Sequence, residues 1–226
     1  MLFCIKIYMR GRESRIFFTF PFKTLILKLM NKLTPKDLEQ MNIEKFKAVG
    51  PSEKYADQMT DFVNELRREN YSSRSANPWL KDVEVEFSRH PDGSEKLKDL
   101  KLLVRTNDDH VVGLYCVRDD MDEQTLLDFG GNISYLIRPS ERRKGYNKIN
   151  MYLALKECAK RGFSVITLVV EAGNRAASRS VRAMGGNMVT TFFDRDGMGL
   201  QFEKYIVNVK DAIASYAPIF EYLIEE

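Results

Sequence analysis

Residues 133–147, with the sequence ISYLIRPSERRKGYN, carry most of the information about the fold. The run from Ile133 to Ile137 is apolar and rich in β-branched and aromatic residues, which is typical of a strand. The chain then passes through Arg138-Pro139 into a basic loop. From Gly145 to about Arg161 apolar residues recur at helical spacing on one side, and Gly162 is placed to end the helix. The stretch predicts a strand, a basic loop and a helix in immediate succession.

The loop between this strand and this helix has the properties of an anion site. The first N–H groups of a helix lack partners within the helix, and the helix dipole adds partial positive charge there. Arg142, Arg143 and Lys144 precede Gly145, where the backbone is open to close approach. Several converging N–H groups suit a di- or triphosphate. A basic helix start that binds nothing is the alternative that these residues leave open.

The loop differs from two widespread phosphate-binding motifs. A P-loop needs a second glycine upstream and a serine or threonine after the lysine, and Lys144 has neither. The Gly-x-Gly-x-x-Gly pattern of dinucleotide-binding proteins is absent as well. A phosphate site here has to be of another type.

The rest of the chain completes a mixed α/β pattern. An amphipathic helix is predicted over residues 52–70, and a hairpin is predicted from the β-rich runs at 101–106 and 111–118. The downstream elements are a strand buried on both faces at 164–170, a short helix capped by Asn174 and ending at Gly185-Gly186, strands at 187–194 and 200–209 around a turn at 196–197, and a helix within 211–226. This order predicts one domain over residues 30–226.

The composition narrows the class of protein. The chain has 226 residues, of which 44% are hydrophobic and 30% charged, as in an ordinary globular protein. Three widely spaced cysteines argue against a disulfide framework and for a reducing compartment, so we expect a cytoplasmic protein. With two histidines in the whole chain, we expect no metal site.

The net charge of +3 is unevenly distributed. Residues 1–29 hold six basic residues and one acidic residue, whereas residues 30–226 hold 29 basic and 31 acidic residues. A basic surface for nucleic acid is therefore not expected. We interpret residues 1–29 as a basic and apolar extension outside the domain. Its charges interrupt every apolar window long enough to span a membrane, although a membrane-surface segment stays open.

The sequence from Arg142 to Asn147 resembles the Gln/Arg-x-x-Gly-x-Gly/Ala motif of the GNAT superfamily of acyl-CoA-dependent N-acyltransferases. Residues 133–139 resemble the family's fourth strand and its exit, and residues 131–146 are close to a bacterial subgroup of acetyltransferases. Residues 174–178 resemble the start of the helix after the fifth strand. The resemblance spans residues 52–209. It implies a GNAT-like α/β (α+β) fold, a mostly antiparallel sheet flanked by helices.

The resemblance also implies a ligand and a reaction. In this family the pyrophosphate of acyl-CoA lies on the loop amides, and the pantetheine arm runs beside the fourth strand. The implied function is direct transfer of an acetyl group from acetyl-CoA to a primary amine of a small molecule or peptide, and a homodimer is compatible with the family. The implied cofactor-binding residues are Ile137, Arg138, Arg142, Arg143, Lys144, Gly145, Tyr146, Asn147 and Asn174.

Several positions depart from the family pattern. Asn147 stands where glycine or alanine is usual, Val181 stands where many members have a tyrosine acid, and neither Asp119 nor Asn132 is the histidine common in the subgroup. The catalytic residues are therefore unassigned. Tyr135 and Glu171 are candidates by location, with packing and a solvated strand end as their alternative roles. A non-catalytic acyl-CoA sensor or interaction module with a degenerate site is the alternative function.

Overall fold

The structure, a computed structural model, describes residues 3–9, 12–18, 44–69, 99–119, 131–193 and 199–225. The strands are β1 Phe3–Met9, β2 Arg12–Phe18, β3 Phe46–Val49, β4 Leu100–Arg105, β5 His110–Val117, β6 Ile133–Ile137, β7 Val165–Glu171, β8 Asn187–Phe193 and β9 Gln201–Asn208. The helices are α1 Ala56–Arg68, α2 Tyr146–Lys160, α3 Arg175–Ala183 and α4 Val209–Phe220. Short 3-10 turns cover 53–55, 139–141 and 221–223.

Two antiparallel sheets form the centre of the fold. One has the strand order β3-β4-β5-β6 and the other the order β7-β9-β8. The predicted hairpin is confirmed as the β4–β5 pair, and the two late strands are confirmed as β8 and β9. The turn predicted at 196–197 lies outside the described residues. The predicted α/β class, with mostly antiparallel strands flanked by helices, is confirmed.

A small set of contacts joins the two sheets, between the start of β6 and Thr167 in β7. The Asn132 backbone N–H donates to the Thr167 oxygen at 2.8 Å, and the Thr167 N–H donates to Asn132 Oδ1 at 2.7 Å. Gly131 has φ +92°, and a Cβ on it would lie 2.2 Å from the Thr167 oxygen. Glycine is therefore required for this close approach. These two hydrogen bonds join the start of β6 to β7 in the described part of the chain.

Helices cover both faces of the first sheet. The predicted amphipathic helix is confirmed as α1, which buries Met59, Phe62 and Leu66 against one face. On the other face lies α2, which shares the larger core with α4. Because α2 lies between the sheet and α4, ten of its fifteen residues are buried, including Asn150. The expectation that its apolar residues occupy one side was wrong.

The strand predicted to be buried on both faces is also different in the structure. In β7 buried residues alternate with half-buried ones, and Val165 is 47% exposed. One face of β7, with Ile166, Leu168 and Val170, packs in the main core, and Thr167 and Val169 on the other face are half-buried. The continuous apolar run at 164–170 therefore does not mean that both faces of the strand are fully buried: Leu168 is buried, but Val169 is only half-buried.

Part of the N-terminal extension has regular structure. Strands β1 and β2 pair antiparallel, with Phe3 opposite Phe18 and Met9 opposite Arg12. The boundary of the extension at residue 29 stays a prediction. Among the residues that the structure describes, no helix has the length and apolar character needed to cross a bilayer.

The junction of the sheets is testable by changing Asn132 to alanine. The part-buried Thr167 N–H then loses its acceptor, so the free energy of unfolding should fall by about 1 kcal/mol. Urea unfolding measures the change. The control is Asn187→Ala at the exposed start of β8, which should change stability by less than about 0.5 kcal/mol. Equal effects of the two variants would contradict the role assigned to Asn132.

Candidate active site

The start of α2 presents a row of backbone donors. Gly145, with φ +92°, is the N-cap of the helix and Arg143 has φ +67°, so the chain turns sharply before Tyr146. In the part of the chain that the structure describes, the backbone N–H groups of residues 143–147 have no hydrogen-bond acceptor. We call residues 143–147 the amide cradle. Such a row of N–H groups at a helix N-terminus binds anions.

The edge of β6 that faces away from β5 leads to the amide cradle. Hydrogen bonds join Arg118 to Asn132 and Arg138 to Val112 across this strand pair. Since hydrogen-bonded and non-hydrogen-bonded pairs alternate in an antiparallel ladder, the backbone groups of Tyr135 and Ile137 point away from β5. They face the gap between the two sheets. An extended ligand with amide groups can pair with such an edge.

The side chains of the basic loop are held by carboxylates. Three of the four predicted cationic residues form short ion pairs, namely Arg138 Nε with Glu65 Oε1 at 2.7 Å, Arg142 Nη1 with Glu69 Oε2 at 2.6 Å, and Lys144 Nζ with Glu141 Oε2 at 2.6 Å. The exposed Arg143 has no ion pair among the described residues. The loop is therefore much closer to neutral than its sequence indicates, and its backbone donors become the main anion-binding groups.

Glu65 fixes the exit of β6 to α1. Besides its pair with Arg138, its second oxygen accepts the Ser140 N–H at 3.0 Å. Partial burial raises the pKa of Glu65, but the bonds from Ser140 and Arg138 outweigh burial and leave the pKa below its ordinary value. Both partners of this carboxylate lie in the turn that leads to the amide cradle, so α1 sets the position of that turn.

A partly buried cluster of ionisable groups connects to both ends of the basic loop, through Glu141 and Tyr146. Glu141, which is 7% exposed, accepts Arg105 Nη1 at 3.2 Å. Arg105 also donates to the Tyr146 hydroxyl, which in turn donates to Glu44 at 2.8 Å. Burial and then the Glu44 bond raise the pKa of Tyr146, so its hydroxyl stays protonated. The first residue of α2 is thus tied to β4 and to Glu44, two residues before β3.

His110 borders the same cluster, with Nε2 3.5 Å from Glu141 Oε1. Burial, followed by the positive charge of Arg138, lowers the pKa of His110 despite the opposing effect of Glu141. The imidazole is therefore neutral at physiological pH. Within the described residues, no three histidine, cysteine, aspartate or glutamate side chains group as ligands of a metal ion.

The remaining predicted site residues lie around the gap between the sheets. Asn174 caps α3, since its Oδ1 accepts the Ala177 N–H at 3.1 Å, and Asn147 is half-buried in the first turn of α2. Tyr135 packs on the core face of β6, where its hydroxyl oxygen is shielded from solvent. Glu171 ends β7 and is half-buried. The two candidates for proton transfer thus lie on the two strands that border the gap.

Val181, at the position where the family often has a tyrosine, is fully buried. Its side chain packs so close to Gly186 that a Cβ there would lie 2.5 Å from it. Position 181 therefore serves packing of α3, and proton transfer has to come from another residue or from water.

The sequence analysis missed the carboxylates of the site. Glu65 and Glu69 lie 73 residues before their basic partners, so local patterns do not link them. Their spacing of four residues on one helix was the available signal, because such residues share a face. Glu141 lies three residues before Lys144 and was detectable as a local pair.

A row of anion-binding amides beside an open strand edge defines a class of proteins that bind an extended, phosphate-bearing ligand. The chain belongs to the GNAT family of acetyltransferases, since the model of that family matches residues 60–185. The reaction class of the family is acyl transfer, with acetyl-CoA as the donor. No curated protein matches the chain.

Solved structures agree with this assignment at the level of the fold. The structure of yncA from Salmonella typhimurium with its cofactor acetyl-CoA has a TM-score of 0.52 and 14% identity, and the match covers 73% of this chain and 94% of that one. A GNAT acetyltransferase from Bacillus anthracis has a TM-score of 0.54 and 11% identity, with coverage of 75% and 98%. At such identities the likeness shows the fold alone.

The ion pair between α1 and the exit of β6 predicts a pH-dependent stability. Glu65→Gln should lower the free energy of unfolding by about 1–2 kcal/mol at pH 7. Because the folded pKa of Glu65 is lowered, its contribution is complete above the ordinary glutamate pKa of 4.5 and is lost as the pH falls through the folded value. Urea unfolding at pH 7 and pH 3 should show the difference between variant and wild type shrinking. Glu53→Gln, at an exposed position, serves as the control.

Proposed function

We propose that this protein is an acetyl-CoA-dependent N-acetyltransferase that transfers an acetyl group to a primary amine of a small molecule or peptide. Family membership supports acyl transfer, and the amine acceptor is the further step. We propose in addition that the protein acts in the cytoplasm, on the basis of its cysteine content, and we retain a homodimer as the family-based expectation for its assembly.

The observation that carries the proposal is the amide cradle at the end of an open strand edge. Its five consecutive N–H groups have no acceptor among the residues that the structure describes, and they provide donors for a pyrophosphate. The outward-facing backbone of Tyr135 and Ile137 provides the pairing edge for a chain with amide groups. Acyl-CoA has these two parts in this order, so the residues present fit the ligand.

The protein contributes position and electrostatics to the reaction. The bound acyl-CoA supplies an activated thioester, whose C–S bond breaks as the amine nitrogen forms the new C–N bond, with one amine proton passing to the CoA sulfur. The strand edge holds the extended ligand in one orientation, and a fixed orientation of the reacting groups lowers the barrier. The gap between β6 and β7 is where the ligand's acyl end is expected.

The amine has to lose a proton before or during attack, because a free amine is mostly ammonium at neutral pH. Glu171 at the end of β7 and Tyr135 on β6 are the proposed candidates, with an ordered water as the alternative. The buried hydroxyl of Tyr135 favours a packing role in the absence of ligand. Glu171, being half-buried at a strand end, is the better placed of the two to meet an incoming amine.

The amide cradle can be tested at its glycine. Gly145→Ala forces a side chain into a conformation with φ +92°, which costs about 1 kcal/mol or more and moves the neighbouring N–H groups. We expect the Kd for acetyl-CoA, measured by calorimetry, to rise at least tenfold. Gly162 at the other end of α2 has φ +87° and open space around it, so Gly162→Ala is a matched control for backbone strain. Equal effects of the two variants on the Kd would contradict the assignment.

Turnover distinguishes an enzyme from a binding module. Purified protein should release free CoA thiol from acetyl-CoA when a panel of amines includes an acceptor, and it should do so with hydroxyl analogues of that acceptor at a far lower rate. Binding of acetyl-CoA without turnover across a broad panel would favour the sensor. Absence of binding at millimolar concentration would reject both functions.

A further inference from the structure

Two hydrogen bonds of Arg142 connect separate elements at the start of the amide cradle. Its Nε donates to the Ile137 carbonyl oxygen at 3.2 Å, and its Nη1 donates to Glu69 Oε2 at 2.6 Å. Ile137 is the last residue of β6, and Glu69 directly follows α1. One guanidinium therefore spans from the end of a helix to the edge of a strand.

The carbonyl that Arg142 engages belongs to the ligand-binding edge. The register of β5 and β6 turns the backbone of Ile137 away from β5, toward the gap between the sheets. An extended ligand that pairs with β6 uses this oxygen as an acceptor. As long as the guanidinium lies against it, the ligand and the arginine compete for the same place.

Glu65 in α1 and Glu69 just after α1 differ in the exposure of the ion pairs that they form. Glu65 and Arg138 are 18% and 8% exposed, and Glu65 also accepts the Ser140 N–H, so this pair forms a fixed part of the frame. Glu69 and Arg142 are 43% and 33% exposed. An ion pair with that exposure contributes little in water and is broken readily. A pyrophosphate on the adjacent amide cradle carries more charge than one carboxylate and can draw the guanidinium away.

We propose that Glu69 sets the affinity for acyl-CoA by holding Arg142 on the open edge of β6, from which the ligand must displace it. The inference rests on the proposed function, because it assumes that acyl-CoA pairs with this edge. It assigns Glu69 as a positioning residue that opposes binding, so removal of its charge should raise the affinity for CoA. If Glu69 instead stabilised the binding-competent loop, removal of its charge should lower that affinity.

The test is calorimetric titration of the full chain with CoA at low ionic strength. Glu69→Gln should bind CoA about two- to fivefold more tightly than wild type, which corresponds to removal of a half-exposed ion pair. The control, Asp61→Asn, removes an equal charge from the exposed side of α1 and should leave the Kd unchanged. In an Arg142→Ala background, Glu69→Gln should have no effect, since the arginine that it holds is gone.

The outcomes distinguish a failure of this inference from a failure of the proposed function. An unchanged or weaker affinity of Glu69→Gln, with wild type binding CoA, overturns this inference and leaves the proposed function intact. A gain that persists in the Arg142→Ala background also overturns it, because the effect is then general electrostatics. Failure of wild type to bind CoA rejects the proposed function and the inference together. The thermal midpoint of Glu69→Gln, expected within about 2 °C of wild type, verifies its folding.

A spectroscopic measurement follows the same arginine directly. The Arg142 Nε–H resonance in a nitrogen-15 correlation spectrum should be protected from exchange in the free protein, because this group is hydrogen-bonded to Ile137. Addition of CoA should shift this resonance, and in free Glu69→Gln it should exchange faster. An Nε–H resonance that keeps its position at saturating CoA would show that the arginine is not displaced.

Discussion

Asn132 and Thr167 exchange two hydrogen bonds, 2.8 Å and 2.7 Å long, at the place where Gly131 lets two backbones meet. These bonds hold the two sheets together at one end of β6, while at the other end the backbone of Ile137 points away from β5 and forms an open edge. The open edge, the gap beside it and the amide cradle at its end all depend on this arrangement. If the strands stayed paired along their length, backbone partners would occupy the groups that an extended ligand needs.

Carboxylates neutralise most of the positive charge of the basic loop. Glu65, Glu69 and Glu141 each hold one basic side chain of the loop, so the site does not rely on a cluster of unpaired cations. Unpaired cations would repel one another and bind many anions without discrimination. A nearly neutral loop with directed N–H groups instead selects by geometry, which suits a ligand recognised by its shape and phosphate spacing.

The sequence predicted what is encoded locally. The strand–loop–helix of residues 133–160, the β4–β5 hairpin and the Asn174 cap follow from nearest-neighbour patterns, and the family motif adds the ligand. The burial of ten of the fifteen residues of α2 was not predictable from its own periodicity. It depends on packing against α4, which lies about fifty residues later in the chain. The pairs of Arg138 and Arg142 link residues 73 positions apart, and only the folded chain brings them together. Charge read from sequence therefore overstated how basic the site is.

The row of N–H groups at residues 143–147 also marks the site kinetically. Amide protons without an acceptor exchange with deuterated solvent quickly, whereas those in the later turns of α2 are hydrogen-bonded and buried, and exchange only when the structure opens. A steep boundary between fast and slow exchange thus falls within the first turn of a single helix. A molecule bound to the amide cradle accepts hydrogen bonds from these amides and slows their exchange, so the boundary shifts toward Arg143. Hydrogen exchange at residues 143–147 therefore reports ligand binding without a chromophore and without turnover.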